Sequence, residues 1–545
     1  MTGGLALVAT IAVPLLMLAA CSVHPLRSIV FRALPLAPLP GLWCALTGLD
    51  QGPFVIARAP VQMLLELDRS GRILLVVSSL LWSLAALYAT TYLRDTASRE
   101  RFTVCWLLGV AGCLGAFIAA DMATLYLCLA LLTLGACGLV FHEETPVAKR
   151  SASIYLGLAL GAETLVLVAM VMLAVELPRG NLLIRDASAL LPSLPHHDLI
   201  LALLVTGFGL KAGLFPLHVW MPLAHAAAPA PASAVLSGAV VKVGILGLGR
   251  FVPFDVSQPE WGVAITAVGL FTALYGALVG MTQAHPKAVL AYSSVSQMGL
   301  IAAVVGMGVS AADPTAAIAA AYYASHHVLV KGALFLAVGL VAMCGPRRLW
   351  WIVVPTLILA LGLGGLPLTG GALAKYAVKG PLGEGLAGTL ANVSAATTTM
   401  LVLHFVHRLR RSAPDERDAA PPAGLVVPWA LLAVAAVIVP WWLYLAAPPG
   451  TLDNALAPKA LLAASVPMIA GALAVLALER WARGRLPRIP QGDIAVMIEP
   501  ATRALSHGGA MLAALDRALR RWPAAGLALV ALVVFFGWAM SAGPV

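Results

Sequence analysis

The sequence predicts an all-α, polytopic membrane protein. Of its 545 residues, 61% are hydrophobic and only 11% are charged, whereas soluble proteins carry about 25% charged residues. Runs of roughly 20 apolar residues recur along the whole chain, and each is long enough to cross the hydrocarbon of a bilayer. The runs are continuous and do not alternate with polar residues, which is typical of membrane-spanning helices and excludes barrel strands.

We count about 14–16 transmembrane helices. Sixteen candidate runs begin near residues 4, 33, 72, 103, 121, 153, 198, 233, 261, 289, 315, 349, 386, 425, 459 and 524. The second run, FRALPLAPLPGLWCALTG, is rich in proline and is the weakest candidate. Residues 4–22 resemble a lipoprotein signal ending at Cys21, but no Lys or Arg precedes the apolar run, so we predict a retained first span.

The charged residues of the loops indicate the topology. Loops after odd-numbered runs are basic, as at Arg94, Lys149 and Arg408, whereas loops after even-numbered runs are mostly acidic; Arg179 and Arg185 are exceptions. Because cytoplasmic loops carry the excess of Lys and Arg, we predict a bacterial inner-membrane protein with both termini in the periplasm. The net charge of +10 is explained by these short loops, so we predict no nucleic-acid partner.

The region after residue 480 differs from the rest. SHGGAMLAALDRALRRW places apolar residues on one helical face and charged residues on another, which predicts an amphipathic helix on the cytoplasmic membrane surface. A short soluble cap is the alternative.

The cysteines and glycines indicate no cofactor. The seven cysteines form no CxxC pair and no metal-binding spacing, so we predict no iron–sulfur cluster, zinc site or disulfide framework. The glycines lie in apolar runs, where close helix packing explains them.

Four lysines lie inside predicted spans, away from the span ends: Lys211, Lys242, Lys331 and Lys375. A charge at the middle of a bilayer costs at least about 2.5–3.5 kcal/mol. Lysine can lose its proton when it is desolvated, whereas arginine effectively cannot, and the arginines of this chain lie in loops and at span ends. The pattern therefore favours a proton pathway. The alternative is that the lysines only hold helices together, which we prefer for Lys379 near a span end.

Three histidines and one acid extend this prediction. His327 and Lys331 are spaced i, i+4 and share a helical face, and histidine titrates near neutral pH. Glu163 is the one acid deep within a predicted span, and its burial calls for a lysine partner; a carboxyl kept neutral is the alternative. His218 and His225 flank Trp220, and both structural and functional roles remain open for them.

His326 points away from His327 on the helix and is the least favoured of the candidates.

Two spans are interrupted in matching ways. One reads GFGLKAGLFPLHVWMP and the other LGLGGLPLTGGALAKYAVK. Glycine and proline leave backbone groups without their helical hydrogen-bond partners. Membrane proteins tolerate this where the backbone lines a wet cavity. Paired broken helices indicate a transport site built on inverted repeats, so Lys211 and Lys375 are predicted counterparts.

Three motifs carry a family resemblance: KAGLFPLHVWMPLAHAAAPAPASAVLSGAVVK, HPKAVLAYSSVSQMGL and HHVLVKGALFL. Together they resemble the antiporter-like membrane subunits of respiratory complex I, a family that includes subunits of membrane-bound hydrogenases and Mrp-type cation/proton antiporters. The resemblance implies two inverted five-helix half-channels, at 101–255 and 256–410. N-terminal helices (1–100), C-terminal helices (411–480), the amphipathic segment (481–523) and a last helix (524–545) would surround them.

The resemblance also implies roles for individual residues. Lys211 would be the broken-helix lysine of the first repeat, Lys375 the exit-side lysine of the second, and Lys242, Lys331 and His327 relay groups between them. The family glutamate that pairs with the first lysine is absent, since Ala130 occupies its place. Glu163, on the next span, is the candidate replacement.

These observations predict a proton-translocating subunit of a redox-driven, complex I-like or hydrogenase-like assembly, with no redox centre of its own. Unit charges about 8 Å apart at an effective dielectric near 20 interact by about 2 kcal/mol, enough for one protonation to change the next. The expected partners are further membrane subunits and a peripheral redox arm. Alternatives are a subunit of an Mrp-type Na⁺/H⁺ antiporter, the membrane half of an inorganic-carbon uptake complex, and a scaffold whose pathway has decayed.

Overall fold

A computed structural model describes residues 2–47, 53–57, 63–178, 181–415, 420–446, 455–481, 489–494 and 496. The chain divides into two compact units, Met1–Gln491 and Gly492–Val545, and every helix below belongs to the first. Arg179, the amphipathic helix predicted for SHGGAMLAALDRALRRW and the last predicted span lie outside the described residues.

The described part of the chain is built mainly from helices. They are α1 (Thr2–Ala20), α2 (Arg27–Ala33), α3 (Leu39–Thr47), α4 (Arg69–Tyr92), α5 (Arg99–Ile118), α6 (Met122–Phe141), α7 (Pro146–Glu176), α8 (Ile184–Leu190), α9 (His197–Ala212), α10 (Trp220–Ala227), α11 (Ala230–Val235), α12 (Lys242–Phe251), α13 (Pro259–Gly280), α14 (Pro286–Ala311), α15 (Thr315–Val341), α16 (Trp350–Gly364), α17 (Gly370–Leu382), α18 (Leu386–Arg410), α19 (Ala423–Ala446) and α20 (Pro458–Trp481). A π-helical segment, Leu236–Val240, joins α11 to α12, and 3₁₀ turns occupy His24–Leu26, Leu34–Leu36 and Leu191–Ser193.

The predicted spans correspond to these helices. Within the described residues, 13 helical stretches are long and apolar enough to cross a membrane. The two spans predicted to be interrupted are each split in two, as α9 with α10 and α16 with α17. The prediction of a multi-pass helical membrane protein is confirmed. The inverted repeats and their boundaries stay predictions.

One small element departs from a purely helical fold. Strands β1 (Phe54–Ala57) and β2 (Met63–Leu65) pair antiparallel between the second and third predicted spans. The backbone of β2 continues its pairing at the end of α5, where the Ala120 amide donates to the Leu64 carbonyl at 3.0 Å. Short apolar stretches in a loop satisfy their backbone groups in this way.

The centre of the fold is formed by α14 and α15. The apolar windows of both are fully buried, whereas those of α1 and α20 are 28% and 11% buried. The broken helices pack around this centre, with α10 against α14 and α17 against α15. Side chains of the central helices are therefore shielded by protein on all sides.

We call the interruption between α9 and α10 the first break and the one between α16 and α17 the second break. Each break follows a glycine in the left-handed conformation. Gly213 (φ 75°) ends α9 and Gly365 (φ 98°) ends α16. Beyond each glycine the chain folds back, since Leu214 N donates to Gly209 O at 2.9 Å and Leu366 N donates to Leu361 O at 3.2 Å. Glycine reaches this conformation without a Cβ penalty, so the glycine motifs determine where each helix stops.

Candidate functional site

The first break positions Lys211 in the last turn of α9. Its Nζ lies 2.8 Å from Oε1 of Glu163 on α7, and the two side chains are only 9% and 5% exposed. The Lys211 amine also donates to Oγ1 of Thr133 at 3.2 Å. The partner of the buried acid is thus the broken-helix lysine, and opposite charges offset the cost of burying each other.

Thr133, which the sequence did not single out, completes this group. Its hydroxyl contacts both Lys211 and Glu163, donating to the carboxylate. It lies on α6 three residues after Ala130, and therefore on the same face. A hydroxyl on α6 and a carboxylate on α7 occupy the surroundings of Lys211, where the family resemblance implies a glutamate on α6.

A small cavity adjoins Lys211. It is lined by Tyr155, Trp220 and Val240 among others, and its volume is about 20 Å³ for the centres of water molecules. A cavity holds water where it is roomy enough and offers polar partners, and the Lys211 amine is such a partner. The space beside Lys211 is therefore large enough for water.

Lys242 and His327 make direct contact in the protein interior. Lys242 Nζ lies 2.6 Å from Nδ1 of His327, and both side chains are fully buried. The same amine donates to the Ser237 carbonyl at 2.6 Å. That carbonyl belongs to the π-helical segment, whose wide turn leaves backbone groups without ordinary helical partners. The wide turn therefore supplies an acceptor for the amine at the start of α12.

Lys331 lies one turn beyond His327 on α15. Its amine donates to the Leu290 carbonyl and to the Ser293 hydroxyl of α14. Ser294, the next residue, shares a hydrogen bond of 2.7 Å with Ser237. Lys242, His327, Lys331, Ser237 and Ser293 thus form one buried group, which we name the central cluster. The serines come from the YSSVSQMG and SAVLSG motifs, but their contacts could not be predicted from spacing alone.

Lys211 and the central cluster lie on helices that pack against each other. Gly244, two residues after Lys242, lies against the backbone of α9, where an added Cβ would be 3.0 Å from the carbonyl carbon of Lys211. Val240, two residues before Lys242, lines the cavity at Lys211. The structure therefore brings Lys211 and Lys242 to adjoining positions on α9 and α12.

Lys375 lies at the second break. Its amine donates to the Gly364 carbonyl at the end of α16, one of the carbonyls that a helix end leaves without a helical partner. The two broken-helix lysines therefore differ, because Lys211 is paired with a carboxylate and Lys375 with a backbone carbonyl.

The three remaining candidate histidines, His218, His225 and His326, are all buried and lie in different places. His218 packs against the rings of Phe215, Tyr275 and Tyr292. His225 packs on Phe335, with 5.0 Å between ring centroids, and the Lys331 amine lies 5.6 Å from the same ring. His326 faces the second break, away from His327.

The comparison with known protein families fits this arrangement. The family described as NADH:quinone oxidoreductase/Mrp antiporter, transmembrane, matches residues 119–401, which include the pairing acid, the broken helices and the central cluster. The chain belongs to this family. The assignment predicted from the three motifs is confirmed.

Individual members of the family are similar over much of the chain. Hydrogenase-4 component B of Escherichia coli is 27% identical over 72% of this chain and 65% of its own length. NADH-quinone oxidoreductase subunit N of Desulforudis audaxviator is 30% identical over 70% of this chain and 81% of its own. A chain of the Mrp complex from Dietzia has the same fold, with a TM-score of 0.77 and 23% identity, covering all of this chain and 63% of that one.

These relatives are subunits of multi-subunit membrane complexes. The chain spans less than two thirds of the hydrogenase component. What the chain shares with the antiporter-like family is therefore the part that contains the buried lysines.

Proposed function

We propose that the chain is a proton-translocating, antiporter-like subunit of a complex I-like or membrane-bound-hydrogenase-like assembly in a bacterial inner membrane. The contact of Lys242 with His327 supports this most directly. An amine and an imidazole 2.6 Å apart can share one proton, and burial keeps that proton from water. A purely structural contact would not require two titratable groups at the core.

The proposed route has three parts. Lys211, held by Glu163, receives a proton in the first half; the central cluster passes it on; Lys375 releases it in the second half. A charge on one group raises the cost of a charge on its neighbour, so protonation at one position drives release at the next. A peripheral redox arm would set the sequence of these events, and the chain itself would carry no redox centre.

The test uses the whole complex, reconstituted in liposomes that contain a pH-sensitive dye, with a potassium diffusion potential to drive proton uptake. Lys211→Ala and Lys375→Ala should each reduce the flux about a hundredfold, because proton transfer by a positioned group contributes roughly that much. Lys379→Ala, at an exposed position on α17, is the matched control and should leave the flux unchanged. Wild-type flux in both buried-lysine variants would contradict the proposal.

A second candidate is a subunit of a Na⁺/H⁺ antiporter. The fold likeness to the Mrp complex supports it. Sodium-dependent proton exchange in the same liposomes, without any electron donor, would favour this candidate over a redox-driven one.

A further inference from the structure

His326 and His327 are adjacent on α15 but face different parts of the molecule. His327 contacts Lys242 in the central cluster. His326, only 2% exposed, faces the gap between α16 and α17. Neighbouring residues on a helix point about 100° apart, so one helix presents an imidazole to each side.

Three glycines of the second break surround the His326 ring. An added Cβ on Gly370 would lie 3.0 Å from Nδ1, and one on Gly371 would lie 2.9 Å from Nε2. One on Gly362 would lie 3.6 Å from Cε1. These residues come from the end of α16 and the start of α17, so the ring occupies the break itself. The glycines that interrupt the span also make room for the imidazole.

Within the described residues, neither ring nitrogen of His326 makes a hydrogen bond of ordinary geometry, and only the Gly362 carbonyl acts on the ring as a weak acceptor. An imidazole has one donor and one acceptor in its neutral form, so at least one ring nitrogen is left unmet in a buried position, which is costly. Lys375 reaches the same break, because an added Cβ on Gly365 would lie 2.8 Å from its Cδ and 3.1 Å from its Nζ.

We propose that His326 is the relay residue that carries protons from the central cluster to Lys375 across the second break. This rests on the proposed function and adds a station to its route. Neutral His326 accepts a proton at one ring nitrogen and becomes an imidazolium. It then releases the proton of the other nitrogen to the neutral amine of Lys375, which becomes an ammonium, and the ring returns to neutral as the other tautomer.

The adjacent histidines therefore divide the route between them. His327 contacts Lys242 of α12, and His326 would pass protons to Lys375 of α17. Helical spacing makes His326 the least favoured candidate for the proton pathway, since it lies off the face shared by His327 and Lys331. The fold places the second break beside His326, and this position makes it a strong candidate.

The experiment measures proton flux into liposomes containing the whole complex. His326→Gln keeps a polar side chain of similar size without transferring protons, and it should reduce the flux about tenfold or more while the assembled complex stays as thermally stable. His326→Phe keeps a ring and should do the same. Ser325→Ala is the matched control on α15, because among the described residues its hydroxyl donates to the Tyr322 carbonyl of its own helix and to no other group, and its flux should equal that of the wild type.

A second readout separates proton transfer from packing. Imidazole added to His326→Ala should restore flux, whereas pyrazole, which has the same size and is far less basic, should not. Imidazole should not restore Lys375→Ala, and adding His326→Gln to Lys375→Ala should cause no further loss.

The outcomes distinguish the two proposals. Wild-type flux in His326→Gln and His326→Phe, together with lost flux in Lys375→Ala, overturns the relay role and leaves the proposed function standing. Equal rescue by imidazole and pyrazole also overturns the relay role, because it indicates packing. Wild-type flux in both Lys375→Ala and Lys211→Ala overturns the proposed function itself.

Discussion

At the scale of single residues, the pairing of Lys211 with Glu163 distinguishes this chain from the pattern implied by its family. The carboxylate comes from α7, and the hydroxyl of Thr133 supports it from α6. Lysine needs a negative partner near it, but the helix that carries the partner is free to vary as long as the distance is kept. The chain meets this requirement from a neighbouring helix.

Glu163→Gln should therefore impair both stability and flux. The change leaves the buried amine of Lys211 without its counter-charge, and we expect a loss of about 1–3 kcal/mol in the free energy of unfolding and a drop in proton flux of about tenfold. Thermal unfolding in detergent and flux in liposomes measure the two effects.

A second variant tests the spatial argument. Ala130→Glu combined with Glu163→Ala moves the carboxylate to α6, on the face that already contacts Lys211 through Thr133. Flux should recover relative to Glu163→Ala alone. Full flux in Glu163→Gln would show that the pair has no part in transport.

The site residues that can be predicted from the sequence differ from the others in what their burial in a membrane costs. The sequence identifies four lysines, because a charge inside an apolar run is costly and therefore conspicuous: Lys211, Lys242, Lys331 and Lys375. It does not identify Thr133, because a threonine inside a membrane helix costs little. The sequence predicts that His326 points away from His327 but not that it faces the second break, since helical spacing shows which residues share a face but not what lies opposite.

At the scale of elements, the second break depends on Gly365. Its φ of 98° disfavours any residue with a side chain, and an added Cβ would lie 2.8 Å from Cδ of Lys375. Gly365→Ala should strain the turn and lower the free energy of unfolding by about 1–3 kcal/mol. It should also displace the Lys375 amine, so that proton flux in liposomes falls even at temperatures where the complex stays folded. Gly380→Ala, on α17 with open space around it, should change neither. Equal effects of the two changes on flux would refute this.

The corner between α6 and α7 should be sensitive to acid. Burial, with a further contribution from Arg101, lowers the pKa of His142 from 6.5 to about 4. The unfolded chain takes up a proton near pH 6.5 and the folded chain only near pH 4, so the stability from neutral His142 is complete above pH 6.5 and is lost as pH falls from 6.5 towards 4.

His142→Gln should therefore flatten the fall in melting temperature between pH 7.5 and pH 5. The exposed His24 provides the control, and His24→Gln should keep the wild-type slope. Melting curves in detergent at four or five pH values measure this. A wild-type slope in His142→Gln would assign the acid sensitivity to other groups.

At the scale of the whole molecule, the number of spans between two loops predicts whether the loops lie on the same side of the membrane. The loop at Ala97 and the loop at Val256 are separated by α5, α6, α7, the broken pair α9 with α10, and the continuous stretch from α11 to α12. These are an odd number of crossings, so the loops lie on opposite sides. The basic loop at Ala97 should be cytoplasmic.

An impermeant thiol reagent checks this arrangement. Val256→Cys should be labelled in intact cells, and Ala97→Cys only in inverted membrane vesicles, after subtraction of labelling at the native cysteines. Both positions are exposed. Labelling of both from the same side would mean that the predicted count of spans is wrong between them.

The small cavity beside Lys211 has a consequence for a cell in which this chain carries protons as proposed. A continuous chain of waters would let protons run down their gradient without control, as through a wire. The cavity is small and lies beside one lysine, so we expect it to hold water locally without forming such a wire. Passage would then require more water to enter the interior for a moment, and the neighbouring subunits of the proposed complex would control transport by deciding when that happens.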